Sequence, residues 1–132
     1  MDALRINSIV AVACGGAIGS VTRYLLSVMV TVHTGSWRFP LATFLVNIIG
    51  CFVIGILAGL AVEEHYFSGT TRLFLFTGIM GGFTTFSTFG LETFALLRRL
   101  EFFVAGSYVL LSVAVGLMAV WLGFMLSSMY SR

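Results

Sequence analysis

Gly78-Ile79-Met80-Gly81-Gly82-Phe83-Thr84-Thr85-Phe86-Ser87-Thr88-Phe89-Gly90 is the stretch that decides how this chain folds. It lies inside a long apolar run from about Arg72 to Leu97. Glycines weaken a helix, and clustered hydroxyls compete for backbone hydrogen bonds. The run therefore predicts a helix that breaks in its middle. At membrane depth the freed N–H and C=O groups must be satisfied by protein, water or an ion. A continuous helix whose small residues allow close packing is the plainer alternative.

Outward from this stretch the chain is apolar almost throughout. Of its 132 residues, 59% are hydrophobic and 9% are charged. The mean hydropathy is +1.08. A soluble domain is nearer a quarter charged, so too few charges remain to coat a soluble surface. A bilayer core of about 30 Å takes roughly 20 helical residues to cross. The sequence supplies four such spans, at about 6–30, 41–62, 72–97 and 102–126, within a single transmembrane domain, 1–132. A polar connection, Thr31–Arg38, follows the first span, and Pro40, the only proline, suits the first turn of the second. Glu63, Glu64 and His65 close the second span. No small-residue cleavage site follows a short apolar region, so the start reads as a retained first helix. Four short helices hardly enclose a wide aqueous cavity, which makes any transport route narrow or shared between subunits.

The charged residues argue about partners and orientation. The seven basic residues are all arginine and are scattered, which gives no footprint for nucleic acid. Four spans put Arg5, Arg72 and Arg132 on one side and Arg38, Arg98 and Arg99 on the other. Orientation normally follows an excess of Arg and Lys on the cytoplasmic side. The balance here predicts weak preference, with opposite copies able to pair as an antiparallel, dual-topology homodimer. Cys14 and Cys51 lie in apolar runs and read as packing residues. His33 and His65 read as surface residues, since neither has a second ligand near it in sequence.

Polar residues inside the spans are the candidate functional groups. Arg23 follows Gly15, Gly16 and Gly19 on roughly one helix face, and is expected to pair with a carboxylate, to anchor the fold or to raise the local positive potential for an anion. Thr43 and Asn47 share a face of the second span. Their donors need an acceptor, which is either a small anion or a carbonyl of a neighbouring helix. Phe86 and Phe89 lie three apart, and their positive ring edges suit an anion. Thr85, Ser87 and Thr88 supply hydroxyls around them. Tyr108, Ser112 and Gly116 recur every four residues on the fourth span, a stripe of two hydroxyls and then a gap. Glu92 is expected to be paired, to face a vestibule or to be partly protonated. No phosphate-binding loop or nucleophile arrangement is evident, so the chain reads as no enzyme.

These residues together resemble the small bacterial fluoride channels, the Fluc or CrcB family. The likeness rests on Gly15-Gly16-Ala17-Ile18-Gly19 with Arg23-Tyr24, on Thr43 and Val46-Asn47-Ile48-Ile49-Gly50, and above all on Gly81-Gly82-Phe83-Thr84-Thr85-Phe86-Ser87-Thr88-Phe89. It implies an all-α, four-span membrane protein in the bacterial inner membrane. It further implies an antiparallel homodimer with two separate pores, passing fluoride passively. Asn47 is then the pore-lining amide, Phe86 and Phe89 the aromatic box, and Tyr108 and Ser112 the hydroxyl track, with Thr43 and Ser87 nearby. Gly116 stands where some relatives carry another hydroxyl. Arg23 is implied near a vestibule, with Glu92 as a carboxylate of the third helix. A structural Na+ on the dimer axis is implied too, held by backbone carbonyls of Gly81 and Thr84 from both subunits. Two competing functions are a small proton-coupled multidrug transporter and a structural membrane protein. The first wants a membrane-embedded carboxylate, and the first span holds Arg23 and no acid.

Overall fold

A computed structural model describes residues 6–62 and 66–130. Arg5, Glu63, Glu64, His65 and Arg132 lie outside the described residues, so the arginine balance keeps its standing as an expectation. Six helical elements and a π-helical segment follow in order: α1 (Ile6–Thr34), α2 (Leu41–Leu60), α3 (Gly69–Arg72), the π segment (Leu73–Met80), α4 (Gly81–Phe83), α5 (Phe86–Arg98) and α6 (Phe102–Tyr130). Grouped by continuity they make four helices long and apolar enough to cross a membrane, the third being the composite Gly69–Arg98. The protein is thus an all-α, multi-pass membrane protein whose third helix is interrupted midway.

The helix ends differ from the sequence expectation for local reasons. α1 continues to Thr34, whose hydroxyl donates back to the Val30 carbonyl at 2.8 Å. The third span starts earlier, at Gly69, because the Ser68 hydroxyl accepts from the Thr71 N–H as an N-cap. Pro40 stands just outside α2, and its carbonyl takes the Phe44 N–H at 3.1 Å. Between α5 and α6 the turn is a Schellman motif built without glycine. Glu101 N–H bonds the Leu96 carbonyl and Leu100 N–H the Leu97 carbonyl, each at 3.0 Å. Leu100 takes the left-handed conformation, φ 60°, that this motif normally gives to glycine.

The break falls at Thr84 and Thr85, both extended, rather than at the glycines before them. Those glycines serve close approach. A Cβ on Gly15 would stand 2.5 Å from the Phe74 carbonyl, and one on Gly82 would stand 2.6 Å from the Gly16 carbonyl. One on Gly19 would collide with the Ile79 carbonyl. α1 and the first half of the third span therefore meet backbone to backbone, as small residues permit between membrane helices. α2 and α6 form the other tight pair, with Gly55 pressed on the Val120 carbonyl and Gly123 on the Phe52 carbonyl. The remaining core gathers where α2 begins and α5 meets α6: Leu96, Ala105 and Tyr108 are buried, with Phe39, Phe44, Phe89 and Val104 packed on them. Most large apolar side chains face outward, as they do in a chain whose solvent is lipid or a partner helix.

Candidate anion site

Asn47 is the hinge of the site. Its Nδ2 donates to the Thr85 carbonyl at 3.1 Å, and its Oδ1 accepts from the Thr85 N–H at 2.9 Å. One side chain on α2 thus replaces the partner that the broken helix cannot give the Thr85 N–H, and adds a second donor to the carbonyl with which Thr85 opens α5. This resolves the choice left open by the sequence partly toward a neighbouring backbone. One of the two Nδ2 hydrogens is used, and one remains. Gly50, one turn along α2, leaves room for the Thr84 methyl.

Cavities lie on both sides of this brace. One, of about 340 Å³, is lined by Asn47, Gly50, Cys51 and Ile54 of α2, by Thr84, Thr85, Phe86 and Phe89 around the break, and by Ser112 and Val113 of α6. The Ser112 hydroxyl oxygen is buried there and has no hydrogen-bond partner among the described residues. A buried hydroxyl with no partner carries a free-energy cost of about 1–3 kcal/mol, so it marks a place where an acceptor belongs. The thirteen-residue helix α5 starts at Phe86, on the wall of this cavity. Its positive end adds potential favourable to an anion. The sequence pointed to the break but did not single out this helix end.

The second cavity, of about 230 Å³, is lined by Ser20, Arg23, Tyr24 and Ser27 of α1, by Thr43 and Val46, and by Thr85 and Thr88. Arg23 is half-buried and has no ion-pair or hydrogen-bond partner among the described residues. Its guanidinium sits among hydroxyls instead of being neutralised by a carboxylate. Thr85 borders both cavities, and its hydroxyl also caps α5 by accepting from the Thr88 N–H at 3.3 Å.

Among the described residues Glu92 is paired by hydroxyls, not by a cation. Thr43 donates to its Oε1 and Tyr108 to its Oε2, each at 2.8 Å. Tyr108 is fully buried, and its ring meets Phe89 at 5.0 Å and Phe39 at 5.3 Å. Two hydroxyls expected to face an anion are therefore engaged by a carboxylate that would repel it. Sequence gave no sign of this clasp, because Thr43 and Glu92 are 49 residues apart. Phe86 and Phe89 stack as a tilted pair, with centroids 5.7 Å apart, and Phe86 is 84% exposed. Ser87 is exposed beside them, its hydroxyl 3.5 Å from that of Thr85. Gly116 adjoins the same wall: a Cβ there would meet the Cys51 sulfur at 3.5 Å. Cys51 and Cys14 are free thiols, Cys51 half-buried and Cys14 exposed on α1.

The sequence-predicted residues thus fall into two groups. Asn47, Phe86, Phe89 and Ser112 share one cavity, and Ser87 is exposed outside its lining. Thr43 and Arg23 share the other, linked through Glu92 to Tyr108.

Gly81 and Thr84 sit at the break, and their carbonyls are released from the helix. The Thr85 N–H that would bond the Gly81 carbonyl bonds Asn47 instead. The Thr88 N–H that would bond the Thr84 carbonyl bonds the Thr85 hydroxyl. Gly81 is exposed, and the nearest atom to a Cβ there is 3.9 Å away. Released carbonyls on an open face suit a hard cation.

A polar seam of uncharged donors and one unpaired guanidinium, set in an apolar four-helix frame around a broken helix, defines a small multi-pass membrane protein built to pass or hold an anion. The sequence profile of the family described as "CrcB-like protein, Camphor Resistance (CrcB)" matches residues 10–124, and the chain belongs to that family. Among its relatives, a "Fluoride-specific ion channel FluC" of Methylobacillus flagellatus is 55% identical over 121 residues, covering 92% of this chain and 94% of the relative. Another of that name, from Geobacter sulfurreducens, is 47% identical and covers 90% of this chain and 95% of its own length. "Fluoride-specific ion channel FluC 2" of Rhodococcus jostii is 45% identical, covering 92% and 99%.

Proposed function

We propose that this protein is a passive, fluoride-selective anion channel of the bacterial inner membrane, working as an antiparallel, dual-topology homodimer with two pores. The observation that carries this reading is the buried, partnerless Ser112 hydroxyl in a cavity shared with Asn47 and Phe86. Family membership supports the same conclusion.

Fluoride is small, holds water tightly and accepts hydrogen bonds strongly. A path for it must replace water with donors that bind enough to admit and weakly enough to release. Ser112 offers an O–H, Asn47 its remaining N–H, and Ser87 a further hydroxyl. Between them the rings of Phe86 and Phe89 offer positive edges. Arg23 in the second cavity raises the local concentration of anions. Thr43 and Tyr108 hold the Glu92 carboxylate by both oxygens, which keeps its charge turned from the ion. The exposed Phe86 and the partnerless outer faces support a second copy completing each path.

A Na+ at the centre of the dimer is part of the same proposal. The Gly81 and Thr84 carbonyls would hold it, and it would supply fixed positive charge that ties the two broken helices together.

A proton-coupled transporter is disfavoured by the Glu92 clasp, since a carboxylate that carries protons must open to substrate. A purely structural reading accounts for the Asn47–Thr85 brace and leaves the Ser112 cavity without purpose. Flux decides between them. Purified protein in liposomes should release fluoride without a proton gradient and retain chloride. Phe86→Ile, at an exposed position, should assemble normally and slow release roughly tenfold, the value of an aromatic contact. Release that requires a proton gradient, or fluoride retained by folded wild-type protein, would overturn the proposal.

A further inference from the structure

Cys51 reads from the sequence as a packing residue, and the proposed anion path does not use it. The structure gives its sulfur a different setting. Cys51 follows Asn47 by four residues on α2, so the two share a helix face. Both line the cavity of about 340 Å³ that also takes in Ser112, whose buried hydroxyl has no partner among the described residues. Cys51 itself is a half-buried free thiol, and it makes no hydrogen bond among the described residues.

The facing wall shows what the thiol stands in for. On α6, Ser112 is followed four residues later by Gly116, which is buried and brings no donor. A Cβ on Gly116 would stand 3.5 Å from the Cys51 sulfur, an ordinary contact distance, and 3.8 Å from Ile48 Cδ1. The sulfur therefore lies over the spot where a side chain at position 116 would begin. Beyond Cys51 the α2 wall of the cavity ends on Ile54, which is apolar. Along α2, Cys51 is thus the last lining side chain with a hydrogen to donate. Packing accounts for its contact with Gly116 but leaves the S–H idle in the cavity of the partnerless Ser112 hydroxyl.

We propose that the Cys51 S–H is a further donor to the fluoride ion, receiving it beyond Asn47 and Ser112 and completing from α2 the row that Gly116 leaves open on α6. This rests on the channel reading above. A thiol is a weak donor. Its place after an amide and a hydroxyl suits release, because conduction needs an ion that can leave each site it enters. The thiol also adds no fixed charge to a path built from neutral donors.

The test uses the full-length protein in liposomes, with Cys14→Ser leaving Cys51 as its only thiol. Methyl methanethiosulfonate transfers its S-methyl group to the thiolate and releases methanesulfinate, and intact-protein mass spectrometry follows the reaction. Sodium fluoride should slow labelling roughly threefold or more relative to sodium chloride at equal ionic strength, by mass action at the occupied site. Labelled protein should lose most of its fluoride efflux. Cys51→Ala should slow efflux roughly two- to fivefold, the weak end of what one hydrogen bond contributes. Cys51→Ser should pass fluoride like wild type. Gly116→Ser added to Cys51→Ala should restore efflux, since its hydroxyl enters the vacated space, a rescue that a packing role does not predict. A thiol that never labels, labelling indifferent to fluoride, or an alanine variant with wild-type efflux overturns the role of Cys51 and leaves the channel reading standing. Folded Cys14→Ser protein that retains fluoride overturns the channel reading, and this role with it.

Discussion

Replacing Asn47 by alanine removes both ends of the reciprocal pair that holds the break. The bonds at 3.1 and 2.9 Å each contribute about 0.5–1.5 kcal/mol net. Their loss also leaves the Thr85 N–H without a protein partner, at about 1–3 kcal/mol if it stays dry, while the carbonyl still opens α5 as its N-cap. The neighbouring cavity of about 340 Å³ is large enough for water to reach that peptide, which favours the low end. The expected destabilisation is about 2–3 kcal/mol. It is measured as lost resistance to denaturant in micelles, with helix content followed by circular dichroism, and fluoride flux should fall in the same variant. Asn47→Asp is the informative control. It keeps the acceptor for the Thr85 N–H, loses the donor to the carbonyl and sets negative charge beside the path. It should therefore retain more stability than alanine while passing no more fluoride. If Asn47→Ala unfolds within about 0.5 kcal/mol of wild type, the brace is not what holds the break.

Ser112→Ala should change stability by less than about 0.5 kcal/mol, since no protein partner is lost, yet reduce fluoride efflux roughly tenfold; equal efflux would remove Ser112 from the path. Tyr108→Phe takes the donor from Glu92 Oε2 and should cost about 1.5–3 kcal/mol, as bonds to charged groups do, read by the same denaturant titration. Leu100→Gly relieves a left-handed leucine at φ 60° whose side chain is 73% exposed. It should raise stability by about 1 kcal/mol without altering flux.

Much of the frame was legible in the sequence, for reasons visible in particular residues. Four apolar runs separated by short polar connections leave little choice of architecture. The hydroxyl cluster Thr84–Thr88 announced a break, because those side chains compete with the backbone. The glycines before it were less transparent. Gly78, Gly81 and Gly82 read as helix weakeners, whereas Gly78 and Gly82 chiefly let α1 approach and the helix runs on through them. Asn47 was visible as a polar group in an apolar span, but its partner was not, since pairing with the Thr85 peptide depends on how α2 meets the third span. The clasp on Glu92 was hidden for the same reason. The π segment left no local mark at all: Leu73–Met80 reads as any apolar helix, and only the diverted bonds of Gly81 reveal it.

The proposed channel passes one ion alone through neutral donors. Its most direct test is the reversal potential of purified protein in a planar bilayer under a tenfold fluoride gradient, with opposing chloride and proton gradients imposed. The potential should settle near the fluoride value, about 59 mV per tenfold, and stay there when chloride or pH is changed on one side. A potential that follows chloride or protons would contradict it.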